Sequence, residues 1–132
     1  MTDNKEHLAL LEKWKERLGL HYWTVILDDD CTTSEMDVEA VGQTTWQEVS
    51  RTARIQIIDP ACYGERVVPF DYELTLVHEL LHLTMCFLAD QVESLQERVA
   101  HQLIDDLAKA LIEAQRDGTE QKKGEGAGSG EQ

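Results

Sequence analysis

Cysteine is scarce in this sequence, and the few residues present form no recognisable pattern. The chain of 132 residues contains three cysteines, Cys31, Cys62 and Cys86, and no two of them are spaced as a CxxC pair. An odd number of scattered cysteines argues against a disulfide framework and against a zinc-ribbon module. We therefore expect three reduced thiols that act mostly as small packing residues.

Basic residues are also few. The chain has 12 Lys and Arg against 26 Asp and Glu, which gives a formal net charge of -14 at pH 7. This charge repels the phosphate backbone of nucleic acids and the anionic surface of membranes. The expected partner is a protein or peptide substrate, with no nucleic acid and no membrane, and the oligomeric state is left open.

Long hydrophobic runs are missing as well. No stretch approaches the roughly 18 consecutive apolar residues of a transmembrane helix, and the polar start MTDNKEH lacks the basic and apolar regions of a secretion signal. We therefore expect a cytoplasmic protein. A chain of this length has room for one domain, which we place at residues 1–115. Residues 116–132 are rich in glycine and charge, and they are predicted to form a disordered tail.

Hydrophobic periodicity predicts an α+β fold. Apolar residues recur every three or four positions in residues 4–18, which is typical of an amphipathic helix. Three strands are predicted, at residues 22–27, 41–49 and 53–58. The last two are joined by a short polar link that can turn a hairpin. Residues 28–40 and 61–70 are expected to be loops.

Two long helices are predicted in the second half of the chain. Residues 71–88 are apolar on every side, as in a buried helix. Residues 92–115 carry one apolar stripe, formed by Val92, Leu95, Val99, Leu103, Leu107 and Leu111. Because the link between the helices is so short, they are expected to be antiparallel neighbours.

The run HELLH at residues 78–82 carries the candidate chemistry. His78 and His82 are four residues apart, so on a helix both imidazoles leave one face and can bind one cation, with Glu79 beside them. Zinc suits this set, because neutral imidazole is a good ligand and an open coordination position lets a bound water ionise near neutral pH. Glu79 is the candidate general base. Burying three polar groups in an apolar helix without such a partner would be costly.

The third protein ligand is expected on the following helix. Four candidates lie there: Asp90, Glu93, Glu97 and His101. The first two are spaced as a helix cap and its reciprocal partner. Glu97 is favoured over His101, because it lies nearer the edge of the predicted apolar stripe and because a carboxylate would reduce the charge of a buried dication. His101 would then orient a ligand, and a three-histidine site is the alternative.

The HELLH run within residues 77–83, followed closely by a helix bearing Glu97, resembles the gluzincin clan of metallopeptidases. It is most similar to the small minigluzincins and to zincin-like proteins of phage and prophage. The resemblance implies a zinc-dependent peptidase, with one zinc ion held by His78, His82 and Glu97. The larger gluzincins usually carry Asn before the ligand glutamate and Asp four residues after it, whereas Gln96 and His101 stand at those positions here.

The resemblance also implies a fold and a mechanism. The fold would be a small zincin-like α+β domain, with a three-stranded or slightly larger sheet on the HExxH helix and an antiparallel C-terminal helix, preceded by an N-terminal helix. In such a fold a peptide adds to the edge strand nearest the metal, for which residues 53–58 are the candidate. The zinc-bound water, activated by Glu79, would hydrolyse peptide bonds. Apart from the resemblance, Tyr63 and Tyr72 are each candidate donors to the oxyanion of that reaction.

Two other functions remain open at this point. A zinc-binding module of the same fold could act by protein binding without proteolysis, because a small domain gains stability from a metal. A metal-free helical adaptor is compatible with the acidic surface, but it leaves the buried polar cluster unexplained. An intact Glu79 favours the peptidase.

Overall fold

The computed structural model describes residues 4–32, 41–64, 68–86 and 94–130, and within the last range it describes the side chains of residues 98–118. The elements in these ranges are α1 (Asn4–Arg17), β1 (Thr24–Cys31), β2 (Gly42–Gln47), β3 (Thr52–Ile58), α2 (Pro60–Tyr63), α3 (Tyr72–Thr84) and α4 (Ser94–Gly130). The predicted α+β class is confirmed. The end of α4 lies beyond the predicted limit of residue 115, and the division into a domain and a tail stays a prediction. Within the described residues, no helix is both long enough and apolar enough to cross a membrane.

The three strands form an open mixed sheet in the order β1-β3-β2. The predicted hairpin is confirmed, because β2 pairs antiparallel with β3, whereas β1 pairs parallel with β3. The prediction that residues 53–58 form the sheet edge is wrong, since β3 lies in the centre. Ala53, Ile55 and Ile57 are all buried, which is typical of a central strand. The edge strand of the hairpin is β2.

Strand β1 is longer than predicted, because Asp28, Asp29 and Asp30 belong to it and not to a loop. Two of the three carboxylates have cationic or imidazole partners. Asp28 Oδ2 lies 2.5 Å from Arg54 Nη2, and Asp29 Oδ2 lies 2.5 Å from His7 Nδ1. These contacts offset the low strand propensity of aspartate, and they come from distant parts of the chain that local sequence does not report.

The core lies on one face of the sheet, where α3 packs against β2 and β3 and is itself contacted by α1 and α4. Its members include Leu11, Trp14, Ile55, Ile57, Leu76, Leu80, Leu83, Ile104, Ala108 and Ile112. The helix α3 is most fully enclosed through Leu76, Val77 and Leu80, which have no exposed surface. The predicted burial of this helix is therefore confirmed for the face opposite the histidines.

Of the described residues in the predicted apolar stripe of α4, Leu111 packs on the core, but Val99, Leu103 and Leu107 do not. Val99, Leu103 and Leu107 are 65%, 47% and 40% exposed, and Ile104, Ala108 and Ile112 are the buried residues instead. The sequence contains two apolar stripes on this helix, and the one with a small residue at its centre allows closer approach to α3. This rotation also removes the helical-wheel argument that placed Glu97 nearer to the site than His101.

The N-terminus of α3 is tied to α1 and α4 by polar contacts. Glu73 Oε2 accepts hydrogen bonds from Trp14 Nε1 at 2.7 Å, from Lys13 Nζ at 3.0 Å and from Gln115 Nε2 at 3.3 Å. Arg116 donates to both carboxylate oxygens of Asp71, the residue that caps α3. Because residues 71 and 73 meet residues 115 and 116 while His78 meets Asp105, α3 and α4 are antiparallel, as predicted.

These contacts predict a loss of stability in acid. Burial raises the pKa of Glu73, but the hydrogen bonds from Trp14 and Lys13 outweigh it and lower the pKa below its usual 4.5. A carboxyl with a depressed pKa contributes stability that is present above its unfolded pKa and lost as the pH falls through the folded one. Glu73→Gln should therefore lower the melting temperature at pH 7, and the difference from the native chain should shrink below about pH 4.5.

The measurement is thermal unfolding between pH 7 and pH 2, followed by circular dichroism. Glu16→Gln, on the exposed face of α1, is the matched control and should change the melting temperature little at any pH. A Glu73→Gln deficit that stays constant down to pH 2 would show that the contact does not depend on the carboxylate charge.

Candidate metal centre

Three histidines from two helices converge beside the sheet. His78 and His82 project from α3 and His101 from α4, and their candidate ligand atoms all lie within 4.8 Å of one another. The ring centroids are 5.1 Å apart for His78 and His82, 4.9 Å for His78 and His101 and 5.5 Å for His82 and His101. The spacing of the first pair follows from one helical turn, whereas the third member depends on the packing of α4.

The geometry of this cluster fits a single small cation. In a tetrahedral zinc site with bonds of about 2.0–2.1 Å, neighbouring nitrogens lie roughly 3.3 Å apart. The separations of up to 4.8 Å therefore have to contract by about 1.5 Å for coordination. Rotation of side chains suffices, since His101 is exposed and the other two are half-buried. The donor set of three imidazoles is one that zinc uses with a fourth position left open.

The two α3 imidazoles are held in the neutral form that binds metals. Burial, together with the proximity of the His78 and His101 rings, lowers the pKa of His82 to about 4. Burial and the proximity of His101 also lower the pKa of His78, against the opposing effect of Asp105. A cation is not repelled by neutral imidazoles, and it does not have to displace protons from these two rings near pH 7.

Asp105 is a member of the site that the sequence analysis missed. Its Oδ1 lies 3.7 Å from His78 Nδ1, and its Oδ2 lies 2.9 Å from Lys109 Nζ. A carboxylate beside Nδ1 favours the tautomer in which that nitrogen carries the proton and Nε2 is the ligand atom. The signal available in the sequence was its position one turn after His101, which becomes meaningful only once His101 is placed in the site.

Glu79 is buried beside the histidines, with 5% of its surface exposed. Burial raises its pKa to about 7, partly opposed by a hydrogen bond from Thr44. That bond joins Thr44 Oγ1 to Glu79 Oε1 at 2.7 Å. The carboxyl is thus fixed in place by β2, and its pKa is near the operating range of a general base at neutral pH.

Gly42 leaves the space that the Glu79 carboxyl occupies. A Cβ atom at residue 42 would lie 2.7 Å from Glu79 Oε2 and 2.9 Å from its Cγ. Only a residue without a side chain leaves room for Glu79 at its observed position. Because Gly42 and Thr44 lie two apart on β2, both contribute to the same face of the strand.

Gly42→Ala is expected to lower the free energy of unfolding by about 1–3 kcal/mol, the usual cost of forcing extra atoms into a packed site. Gly118→Ala is the matched control, because a Cβ there meets nothing within 4 Å. Chemical denaturation of both variants measures the effect. Equal stability of the two variants would mean that Glu79 can move aside without cost.

The exposed edge of β2 runs past Glu79. The backbone N–H of Ile58 donates to the carbonyl of Val41 at 2.9 Å, so these two residues form a hydrogen-bonded pair. The next pair along the antiparallel ladder is Gly42 with Ile57. Hydrogen-bonded and non-bonded pairs alternate along such a ladder. Gly42, Thr44 and Trp46 therefore direct their backbone N–H and C=O groups away from β3, toward the side where the described sheet has no further strand.

A cavity of about 640 Å³ opens in front of this edge. The three histidines and Glu79 contribute to its lining, together with Thr44 and Trp46 of β2 and an apolar wall formed by Tyr63, Val68, Phe70 and Leu74. Tyr63 packs against Phe70, with ring centroids 5.2 Å apart. The size suits a short stretch of peptide with one or two side chains.

The two tyrosines predicted as possible oxyanion donors have other contacts. The hydroxyl of Tyr63 donates to the carbonyl of Val68. Tyr72 stacks on His7 with ring centroids 3.5 Å apart, and its hydroxyl lies 3.5 Å from Asp29 Oδ2. Tyr72 is not among the cavity-lining residues. Neither phenol is positioned to donate to a substrate without first leaving its present partner.

The predicted ligand Glu97 lies on α4 one turn before His101, but its side chain is outside the described part of the chain. Its role stays a prediction. Asp90 and Glu93, considered as caps, also lie outside the described residues. Cys86 is buried, and the group of potential metal ligands found among the described residues consists of the three histidines without it.

We compared the chain with protein-family models, curated proteins and solved structures. No protein-family model matches this chain. Neither the curated proteins nor the solved structures contain a significant match.

Proposed function

We propose that this protein is a metal-dependent peptidase of the zincin type, with one zinc ion held by His78, His82 and His101. The observation that carries the proposal is the convergence of three imidazoles from two helices beside a buried glutamate and an open strand edge. The chemistry of the ligands favours zinc, because borderline-soft imidazole donors in a tetrahedral set with an open position match that ion.

Zinc in this position would act as a Lewis acid, lowering the pKa of a water and polarising the carbonyl of the scissile bond. Glu79 would accept the proton of the water that attacks the carbonyl carbon. It would then return this proton to the leaving nitrogen as the C–N bond breaks. Thr44 holds the Glu79 carboxyl in position through its 2.7 Å hydrogen bond.

The substrate in this proposal is an extended peptide added to the edge of β2. The outward backbone groups of Gly42, Thr44 and Trp46 would pair with its main chain. Its side chains would alternate between solvent and the cavity wall formed by Tyr63, Val68, Phe70 and Leu74. The peptide is thus proposed to pair with β2, whereas the sequence analysis expected it to pair with β3.

Elemental analysis of the purified full chain tests the metal centre. We expect about one zinc per chain in the native protein, as in other sites with one open position. His101→Ala should lose the metal, and His21→Ala should retain it. His21 is an exposed histidine that does not belong to the cluster.

Glu97→Ala decides between the two candidates for the third ligand. Retention of zinc in Glu97→Ala with loss in His101→Ala would support the three-histidine site. The reverse result would restore the glutamate ligand that the gluzincin resemblance implies. A native chain that holds no metal and takes up none from added zinc would overturn the proposed function.

A further inference from the structure

Helix α4 carries a second apolar face that points away from the domain. Its outer stripe consists of Val99, Leu103 and Leu107, all exposed, and it continues through the exposed Ala110 and Ala114. At 100° per residue these positions lie roughly opposite Ile104, Ala108 and Ile112, which pack on the core. Exposed leucines in a row spaced by four are unusual on a helix that needs only one buried face.

The charges beside the outer stripe follow a definite order. One flank is formed, in sequence, by Arg98, Gln102, Asp106, Lys109 and Glu113. Spacings of four, four, three and four keep them on one side of the stripe. The signs therefore read positive, neutral, negative, positive, negative from the N-terminal end. Lys109 is still 55% exposed at its side chain although it contacts Asp105.

This order is complementary to itself when the direction is reversed. Consider two antiparallel copies of α4 that cross at the middle of the outer stripe. Measured along the helix axis, Arg98 of one copy then lies within about 3 Å of Glu113 of the second copy. Asp106 has the same offset from Lys109 of the second copy. In a parallel pair this flank would instead face the opposite flank of the second copy, so neither of these two ion pairs could form.

We propose that the outer stripe of α4 is the dimer interface of this protein, with the two helices packed antiparallel. The apolar residues supply the attraction, and the flanking charges select the second copy and its direction. The surface lies on the side of α4 opposite the histidine cluster, so the proposal does not depend on the metal or on peptidase activity.

Sedimentation analysis of the full chain from roughly 1 µM to 1 mM tests the proposal, over the range in which weak homodimers are detected. The native chain should form dimers. Leu103→Gln should weaken dimerisation at least tenfold. The matched control is Leu8→Gln on α1, because Leu8 and Leu103 are 44% and 47% exposed, and this change should leave dimerisation unaltered. A monomeric native chain, or equal effects of the two variants, would overturn the proposal.

Charge exchange tests the antiparallel direction separately. Arg98→Glu should weaken dimerisation, because it places two acidic residues opposite each other. The double variant Arg98→Glu with Glu113→Arg should restore the native association, since the pair is re-formed with its signs exchanged. Both residues are exposed, so circular dichroism should show a native fold for each variant. Failure of the double variant to restore association would overturn the antiparallel arrangement.

Discussion

Glu79→Gln is expected to lower peptide hydrolysis by two to four orders of magnitude, the usual contribution of a positioned general base. Glutamine keeps the shape of the side chain and can still accept the hydrogen bond from Thr44, but it cannot take a proton from water. Zinc content should be unchanged, because the residue is not one of the three clustered ligands.

The same substitution should leave the fold as stable as before or make it more stable. Burial raises the pKa of Glu79 to about 7. Ionisation of this group above that pH therefore lowers the free energy of unfolding, and a glutamine at this position does not ionise. A change that raises stability while abolishing activity is the expected behaviour of a residue kept for function. Thermal unfolding of the metal-free chains, compared at pH 8, measures this difference.

Peptide cleavage, zinc content and melting temperature of Glu79→Gln should be compared with those of Glu12→Gln, whose side chain is 72% exposed on α1. The control should match the native chain in all three. If the native chain cleaves peptides and Glu79→Gln cleaves them equally well, the proposed role of Glu79 is wrong. If the native chain binds zinc but cleaves no member of a broad peptide library, the metal is left with a stabilising role.

A metal bound at the proposed site would change the environment of Glu79. Three neutral imidazoles would leave the full charge of a dication in the site, whereas a glutamate ligand would reduce it. A dication near a buried carboxyl favours the charged form and opposes the effect of burial on its pKa. The Asp105 carboxylate, 3.7 Å from His78, would supply a further negative charge close to such a cation.

The part of the site that the sequence could predict is the part set by one helix. His78, Glu79 and His82 lie together because residues one and four apart share a region of the helix surface, whatever the rest of the chain does. The position of the third histidine of the cluster, His101, depends on how α4 is rotated against α3. The sequence of α4 offers two apolar stripes, and periodicity alone did not distinguish the one with Ile104, Ala108 and Ile112 from the predicted one, which begins at Val92.

The fold shows the same division between local and long-range information. The hairpin of β2 and β3 follows from a short polar link between two segments with strand-forming residues, and it was predicted. The central position of β3 depends on the parallel pairing of Thr24 with Thr52, which no local pattern reports. The inclusion of Asp28 and Asp29 in β1 likewise depends on Arg54 and His7, which lie 26 and 22 residues away in the sequence.

Zinc is expected to stabilise this fold strongly, because the proposed ligands lie on two different helices. A ligand that binds only the folded state adds about 4 kcal/mol when its concentration is a thousand times its dissociation constant. For a domain of this size that corresponds to a rise in melting temperature of more than about 10 °C. Cross-linking α3 to α4 is the physical source of the gain, since separating the helices then requires breaking metal–nitrogen bonds.

The measurement is thermal unfolding of the metal-free chain with and without added zinc. Magnesium is the control ion, because it prefers oxygen ligands and should give no shift. His101→Ala should abolish most of the zinc-dependent rise, and His21→Ala should retain it. An equal rise in His101→Ala would show that zinc stabilises the chain without linking α4 to α3, since His101 is the α4 member of the histidine cluster. In that case the ligands would have to be sought on α3 and its other neighbours.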